Sequence, residues 1–435
     1  MESNPTRMCE LLIGLPEVNV LGVEDVAGAP LCIHIESRVD GAWCSECGCR
    51  AAVKDRAVVV LVDLPCFGRP TRLAWHKHRW WCRQVECGAG SWTIVDERIA
   101  APRAALTDRA ARWATVQVGR SGRSINEVAG ELDCDWHTVS DAVVAYGEAL
   151  LEADIDRVGA VEGLGLDETL FFRKGRWRTQ QWCTSVVDVG GHGRVAKLIE
   201  VVEGRTATKV SGWIEAQDES WRAGIRWGVL DLSGPYRKVF DDSLAHVTQI
   251  ADPFHVIKVA NSKLDECRRR VQNETMGHRG RKDDALYRAR RLLTKAHERL
   301  GEAGDAKLVG LLTAGDPRGE VRMAWHAKET IRSIYAIDDV QVAREFVTEL
   351  AADLQDESCP PEVHSLGRTL KRWLDHIVAW HEAKITNGPT EAINNLIKRI
   401  KRVGFGLRRF RHYRIRVLLY AGRPNWDLLA TVAPR

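Results

Sequence analysis

Three carboxylates stand where chemistry would be sought first, because their surroundings make a bare charge costly or gather cations round it. Asp167 interrupts the apolar run of residues 161–172, and Asp231 closes the run of residues 225–230. An ionised carboxylate buried there costs several kcal/mol unless a cation or hydrogen-bond donors satisfy it. Glu391 follows Asn387-Gly388-Pro389-Thr390, and proline suits the first turn of a helix. At about 100° per residue, Asn394, Asn395, Lys398 and Arg402 share the face of Glu391, and Ile393, Leu396, Ile397, Ile400 and Val403 lie opposite. A carboxylate backed by cations on one helix face suits a metal-and-phosphate site, although a solvated surface helix would show the same pattern.

Cysteines give a second constellation. Cys44 and Cys47 form a C-x-x-C pair, and Cys82 and Cys87 a wider one; Gly48 and Gly88 follow the second cysteine of each. Glycine there lets the backbone curl towards the thiolates. Two such knuckles predict a closed, four-thiolate structural Zn²⁺ site rather than four unrelated core cysteines. Cys49 and Cys66 compete for a ligand place. Between the pairs, residues 72–81 are basic and aromatic, with Arg72, Lys77 and Arg79 among three tryptophans. Such a strand suits a nucleic-acid backbone, cations on phosphates and rings on sugars or bases; a tryptophan-filled core with a charged outer face is the other reading.

The third constellation is helical. Ser124-Ile125-Asn126-Glu127 fits a capping box ahead of a short helix ending near Leu132. Asp133-Cys134-Asp135 makes a turn, and Trp136-His137-Thr138 opens a second helix with Val139 and Val143 on its inner side. With a preceding helix over residues 106–118, this is the layout of a helix-turn-helix, in which His137 and Thr138 are placed to meet DNA. A plain helical linker is the alternative.

These groups need positioning by more than one folding unit. The chain has 435 residues, of which 45% are hydrophobic and 28% charged, which excludes a mainly disordered or collagen-like polymer. No apolar stretch approaches the roughly 18 residues of a membrane span. Residues 1–7 lack the layout of a secretory signal, so a cytoplasmic protein without a membrane partner is expected. The 12 cysteines are then expected as thiols or metal ligands. The net charge of +4 says little, so the clustering of charge carries the information. Residues 31–100 read as short strands with cysteine-bearing turns. Residues 159–172, 177–189 and 195–202 read as strands, followed by a helix (206–217), a strand (225–232), a helix (236–243) and a strand (247–251). Residues 255–384 read as helical, broken at 315–317 and 360–361.

At this point the chain resembles the ISL-three family of bacterial insertion-sequence DDE transposases. The matching residues are Cys44-x-x-Cys47 with Cys82-x4-Cys87, Gly165-Leu166-Asp167-Glu168, Asp252-Pro253-Phe254-His255-Val256-Ile257-Lys258 and Asn387-Gly388-Pro389-Thr390-Glu391-Ala392-Ile393-Asn394-Asn395-Leu396-Ile397-Lys398. Gly404-Phe405-Gly406 and residues 408–416 continue the match; Ala392 stands where glycine is expected. The resemblance implies a multidomain α+β protein: an N-terminal β-rich region with a zinc ribbon (1–100), a helix-turn-helix (101–155) and a ribonuclease-H-like α/β core (156–258 and 386–435) interrupted by an all-helical insertion (259–385). It implies a catalytic triad of Asp167, Asp231 and Glu391 holding two Mg²⁺ (or Mn²⁺) ions. Asp231 is the expected second carboxylate because its strand should lie beside that of Asp167, and Asp252 is the expected cap of the helix after it. Terminal inverted repeats and target DNA would be the partners, gripped in part by Lys398, Arg402, Arg408, Arg409 and Arg411, with a homodimer in the synaptic complex and a bacterial, nucleoid-associated setting. The competing readings are another ribonuclease-H-like DNA nuclease and a non-enzymatic zinc-ribbon repressor.

Overall fold

The structure, a computed structural model, describes residues 4–15, 18–93, 95–190 and 195–434. In chain order they form α1 (Pro5–Ile13), β1 (Val18–Glu24), β2 (Leu31–Ser37), β3 (Ala52–Cys66), β4 (Arg69–Trp81), β5 (Ser91–Thr93), α2 (Asp108–Thr115), α3 (Ile125–Leu132) and α4 (Trp136–Ala153). Then follow β6 (Gly163–Lys174), β7 (Thr179–Asp188), β8 (Lys197–Glu203), α5 (Ala207–Glu215), α6 (Glu219–Ala223), β9 (Trp227–Leu230), α7 (Gly234–Ser243) and β10 (Thr248–Ala251). The remainder is helical: α8 (Pro253–Met276), α9 (Ala285–Leu293), α10 (Gly301–Gly315), α11 (Glu320–Ser333), α12 (Val340–Asp353), α13 (Pro361–Arg372), α14 (Leu374–Ala383), α15 (Gly388–Val403) and α16 (Phe410–Ala421). The chain divides into two compact units, residues 1–157 with 396–435 and residues 158–395.

The first unit is built on a sheet in the order β1-β2-β4-β3, with β5 on β4. Strand alternation puts Ile33, Ile35, Leu61, Leu73 and Trp75 on one buried face. Trp75 and Trp80 are both interior, which corrects the expectation that this strand offers its rings to nucleic acid; only Trp81 of the three is exposed. Arg72 is likewise turned inward: its guanidinium donates to the carbonyls of Leu132 and Asp133 at the end of α3, where a cation satisfies the last carbonyls and opposes the helix dipole.

The helices obey their sequence signals. Ser124 and Glu127 make a reciprocal capping box on α3, Asp133 takes φ +52° in the turn, and Val139 and Val143 are fully buried in α4. Their core also takes Ile415 and Leu419 of α16 and Leu429 and Val432 beyond it. Residues 101–155 therefore share their interior with the far end of the chain. Sheet and helices are joined by a buried pair: Asp63 on β3 accepts from Arg109 of α2 and from the Thr107 hydroxyl at 2.6 Å.

The second unit holds a five-stranded sheet in the order β10-β9-β6-β7-β8. β6, β7 and β8 form an antiparallel meander, whereas β9 runs parallel to β6 and β10 parallel to β9. Its apolar core runs without a break from Leu164 and Leu166 of β6 into the helices as far as Ile377. Two polar devices knit those helices. Arg270 of α8 reaches Glu320 of α11 and Glu362 of α13, and the fully buried Lys328 donates to the carbonyls of Leu293 and Lys295 at 2.9 Å each.

Removing one partner of a buried ion pair leaves the other charge uncompensated. Asp63→Ala should therefore lower the unfolding free energy by about 3 kcal/mol, read from urea denaturation of the full chain. A change near zero would show that Arg109 and Thr107 do not depend on it.

Candidate functional site

Asp167 lies midway along β6, and Asp231 lies one residue beyond the end of the neighbouring β9. Both carboxylates are fixed or stranded by what surrounds them. Asp167 Oδ1 accepts from the Glu168 amide at 2.7 Å, and Oδ2 accepts from Asn394 Nδ2 at 2.6 Å. Burial, then the charge of Asp231, push the Asp167 carboxyl up to about 6 despite those two donors. Burial also raises the Asp231 carboxyl, and its buried Oδ1 has no hydrogen-bond donor among the described residues. The next residue, Leu232, is held at φ +65°, a conformation that costs a non-glycine residue about 1–2 kcal/mol. Strain beside a carboxylate with one unpartnered oxygen marks a place shaped for something other than stability.

Glu391 lies in the first turn of α15, and its side chain is half exposed. Its Oε1 is 3.6 Å from His255 Nε2. His255 Nδ1 is in turn 3.2 Å from Asp252 Oδ2. Burial works against a charge on His255, but the hydrogen bond and charge of Asp252, with Asp231 behind them, raise its pKa overall. One imidazole thus stands within electrostatic reach of Asp167, Asp231 and Glu391. Asp252 caps α8 through the His255 amide, and its other oxygen accepts from the Asn387 amide at 2.8 Å. Both its oxygens are engaged, as the sequence expected of a cap.

The segment before Glu391 is seated against β6 by a glycine. A Cβ on Gly165 would lie 2.3 Å from Thr390 Oγ1 and 2.8 Å from Val189 Cγ1, so no larger residue fits. The expected outward polar face of α15 needs one correction: Asn394 is buried, and it bonds Asp167, Thr169 and Ser185. A helical wheel could not separate it from the exposed Asn395. His255 carried a signal in the Asp-Pro-x-His spacing of an N-cap, but nothing in sequence tied it to Glu391.

In the first unit, Cys44, Cys47, Cys82 and Cys87 bring their sulfurs within 4.8 Å of one another. Cys44 and Cys87 are 3.6 Å apart, and Cys47 and Cys82 are 3.5 Å apart. The first knuckle closes through Gly48 N to Cys44 O at 2.9 Å, with Gly48 at φ +69°, whereas Gly88 needs no positive φ. The amide of Cys49 and the neighbouring thiols lower the Cys47 thiol to about 7. Crowded thiols, one already acidic, fit a tetrahedral divalent cation. Cys49 accepts from Gln84 instead, and Cys66 ends β3 at the hairpin; neither belongs to the group.

The other basic residues differ in availability. Lys77 lies 4.2 Å over the Trp75 ring, and Arg79 is 3.7 Å from Asp55. Arg411 pairs with Glu148. His137 is exposed and Thr138 half-buried at the start of α4, and Lys398, Arg402, Arg408 and Arg409 are exposed.

Residues 164–417 match a family model described as a transposase, an enzyme that acts on DNA. The chain belongs to the ISL-three family of DDE transposases. It is similar to a transposase for insertion sequence element IS1001 from Bordetella parapertussis, at 23% identity over 88% of this chain and 89% of that one. It is also similar to a transposase for insertion sequence element IS1557 from Mycobacterium tuberculosis, at 28% identity over 63% of each chain. None of the helices among the described residues is long and apolar enough to cross a membrane.

Gly165→Ala should cost about 1–3 kcal/mol through overpacking against Thr390, measured by urea denaturation. Adding Thr390→Ala, which removes the nearest clashing atom, should recover part of that loss; no recovery would place the strain elsewhere.

Proposed function

We propose that this transposase binds the terminal inverted repeats of its insertion sequence and cleaves and joins DNA at Asp167, Asp231 and Glu391, which would hold two Mg²⁺ or Mn²⁺ ions. The observation that carries the reading is the orphaned, buried Oδ1 of Asp231 beside an Asp167 carboxyl raised to about 6. Two acids on adjacent strands, one with a bare oxygen, are a set of oxygen donors awaiting a hard cation. Such ions, when bound, would activate the attacking oxygen and stabilise the leaving one. The chain's own part is positional. β6 and β9 set the two aspartates side by side, α15 brings Glu391, and His255 holds the glutamate on the same side as Asp231. The reaction is hydrolysis that frees a 3′-hydroxyl, then attack of that hydroxyl on target DNA. Neither step needs a covalent protein nucleophile.

Sheet order and strand directions in the second unit support a ribonuclease-H-like core, with the helical residues after Asp252 inserted ahead of α15. Asp252 is not the second catalytic carboxylate on this reading, because its oxygens are committed to capping α8 and holding the Asn387 amide, whereas Asp231 keeps a buried oxygen without a donor. The four cysteines hold one structural Zn²⁺. DNA is met by His137 and Thr138 on α4 and by Lys398, Arg402, Arg408 and Arg409; Lys77, Arg79 and Arg411 contribute by leaving their intramolecular partners. Arg72 is reassigned to holding α3. A synaptic complex of two protomers completes the proposal. The repressor reading is disfavoured by two buried aspartates kept in position at a cost in stability, and a general nuclease reading by the family to which the chain belongs.

Asp167→Asn, Asp231→Asn and Glu391→Gln should each abolish cleavage and strand transfer of a labelled terminal-repeat oligonucleotide while leaving its binding intact. An active Asp231→Asn alongside an inactive, folded Asp252→Asn would reverse the assignment of the second carboxylate. For the cysteines, elemental analysis should find zinc that is lost from Cys44→Ser and Cys82→Ser; wild-type protein purified without chelators and holding none would refute that site.

A further inference from the structure

Asn394 does more than fill space beneath α15. Its Oδ1 accepts from the Thr169 hydroxyl of β6 at 3.1 Å and the Ser185 hydroxyl of β7 at 2.8 Å. The carboxylate sets the sense of the amide: the flipped side chain would put Oδ1 against another acceptor, whereas the hydroxyls can donate or accept. The amide nitrogen therefore faces Asp167 Oδ2, at 2.6 Å. With Oδ1 held by the Glu168 amide, the carboxylate of Asp167 cannot rotate, and each oxygen keeps a lone pair free. We propose that Asn394 is a positioning residue that presets Asp167 to receive a divalent cation, with Thr169 and Ser185 anchoring the far end of its amide. This rests on Asp167 being a cation ligand.

Outer partners of metal-ligating carboxylates are worth about 10–100-fold in metal affinity. Mn²⁺ binding to the full chain, followed by electron paramagnetic resonance without DNA, should weaken at least about tenfold in Asn394→Ala. Thr169→Val, which keeps shape but loosens the amide, should weaken it by a smaller factor. A residue that merely packs would leave Mn²⁺ affinity unchanged while altering the urea midpoint, and that result overturns the proposal. A wild-type chain indistinguishable from Asp167→Asn would instead remove the cation reading, and this inference with it.

A separate observation lies on the outer face of the first unit's sheet. Cys32 and His34, two apart on β2, point the same way, and Glu24 on β1 stands directly opposite Cys32 in the strand register. One donor atom from each lies within 4.8 Å of the others. His34 Nε2 is 4.0 Å from Cys32 Sγ and 3.0 Å from Glu24 Oε1. Tetrahedral Zn²⁺ with ordinary bond lengths sets such donors about 3.3–3.6 Å apart, so small side-chain adjustments would suffice. His34 Nδ1 meets His76 Nε2 at 2.9 Å, the outer hydrogen bond that orients a ligating imidazole. We infer that Glu24, Cys32 and His34 form a second site for Zn²⁺ or a similar borderline-soft cation, with a fourth position open to water.

The test counts zinc in the dialysed full chain. Cys32→Ser and His34→Gln should each hold one zinc fewer than the wild type, whatever the four-cysteine group holds, with far-ultraviolet circular dichroism confirming an intact fold. Glu24→Gln, which takes away an anionic ligand, should weaken the binding of that ion. Zinc counts unchanged in both folded variants would leave a plain Glu24–His34–His76 hydrogen-bond relay and overturn the site.

Discussion

The carboxylate of Asp252 is the contact on which the second unit depends. It ends β10, caps α8, orients His255 and accepts the amide of Asn387 at the approach to α15. Two segments far apart in sequence, β10 with α8 and the approach to α15, are thereby referred to one nearly inaccessible group. Hydrogen bonds to a charged acceptor are about twice as strong as neutral ones, and burial protects them from competing water. The glutamate on α15 can then stand half exposed, because its backbone is anchored one turn earlier.

Against that rigid frame, the two aspartates of the sheet are deliberately uncomfortable. Asp167 has two donors and still holds its proton more tightly than an ordinary carboxylate; Asp231 has an oxygen with none and a strained neighbour. Stability alone would favour apolar residues at both places. On the proposed reading, added positive charge is what relieves both.

Features whose physics is local were legible in the sequence. The C-x-x-C turn, the capping box at Ser124 and the cap at Asp252 are set by residues within a few positions, and they appear where spacing put them. The order of strands and helices around Asp167 and Asp231 was equally readable, since alternation and helical period report burial directly. Features set by distant partners were not. Asn394 and Asn395 are the same residue type one position apart, and only the hydroxyls waiting on β6 and β7 distinguish them. A basic, tryptophan-rich strand reads alike whether its rings face solvent or core, so Trp75 and Trp80 went unresolved. Arg72 found carbonyls at the end of a helix sixty residues onward.

The discontinuity of the first unit bears on how the protein is made. Ile415, Leu419, Leu429 and Val432 are buried among the helices that follow Pro102. A nascent chain has already emitted the cysteine knuckles, the capping box and both sheets before those side chains leave the ribosome. Until they do, α2, α3 and α4 lack part of their apolar lining. A chain cut short before residue 415 would carry α2, α3 and α4 and yet not their finished interior. The helices of residues 108–153 thus reach their native packing only once residues 415–432 have been made.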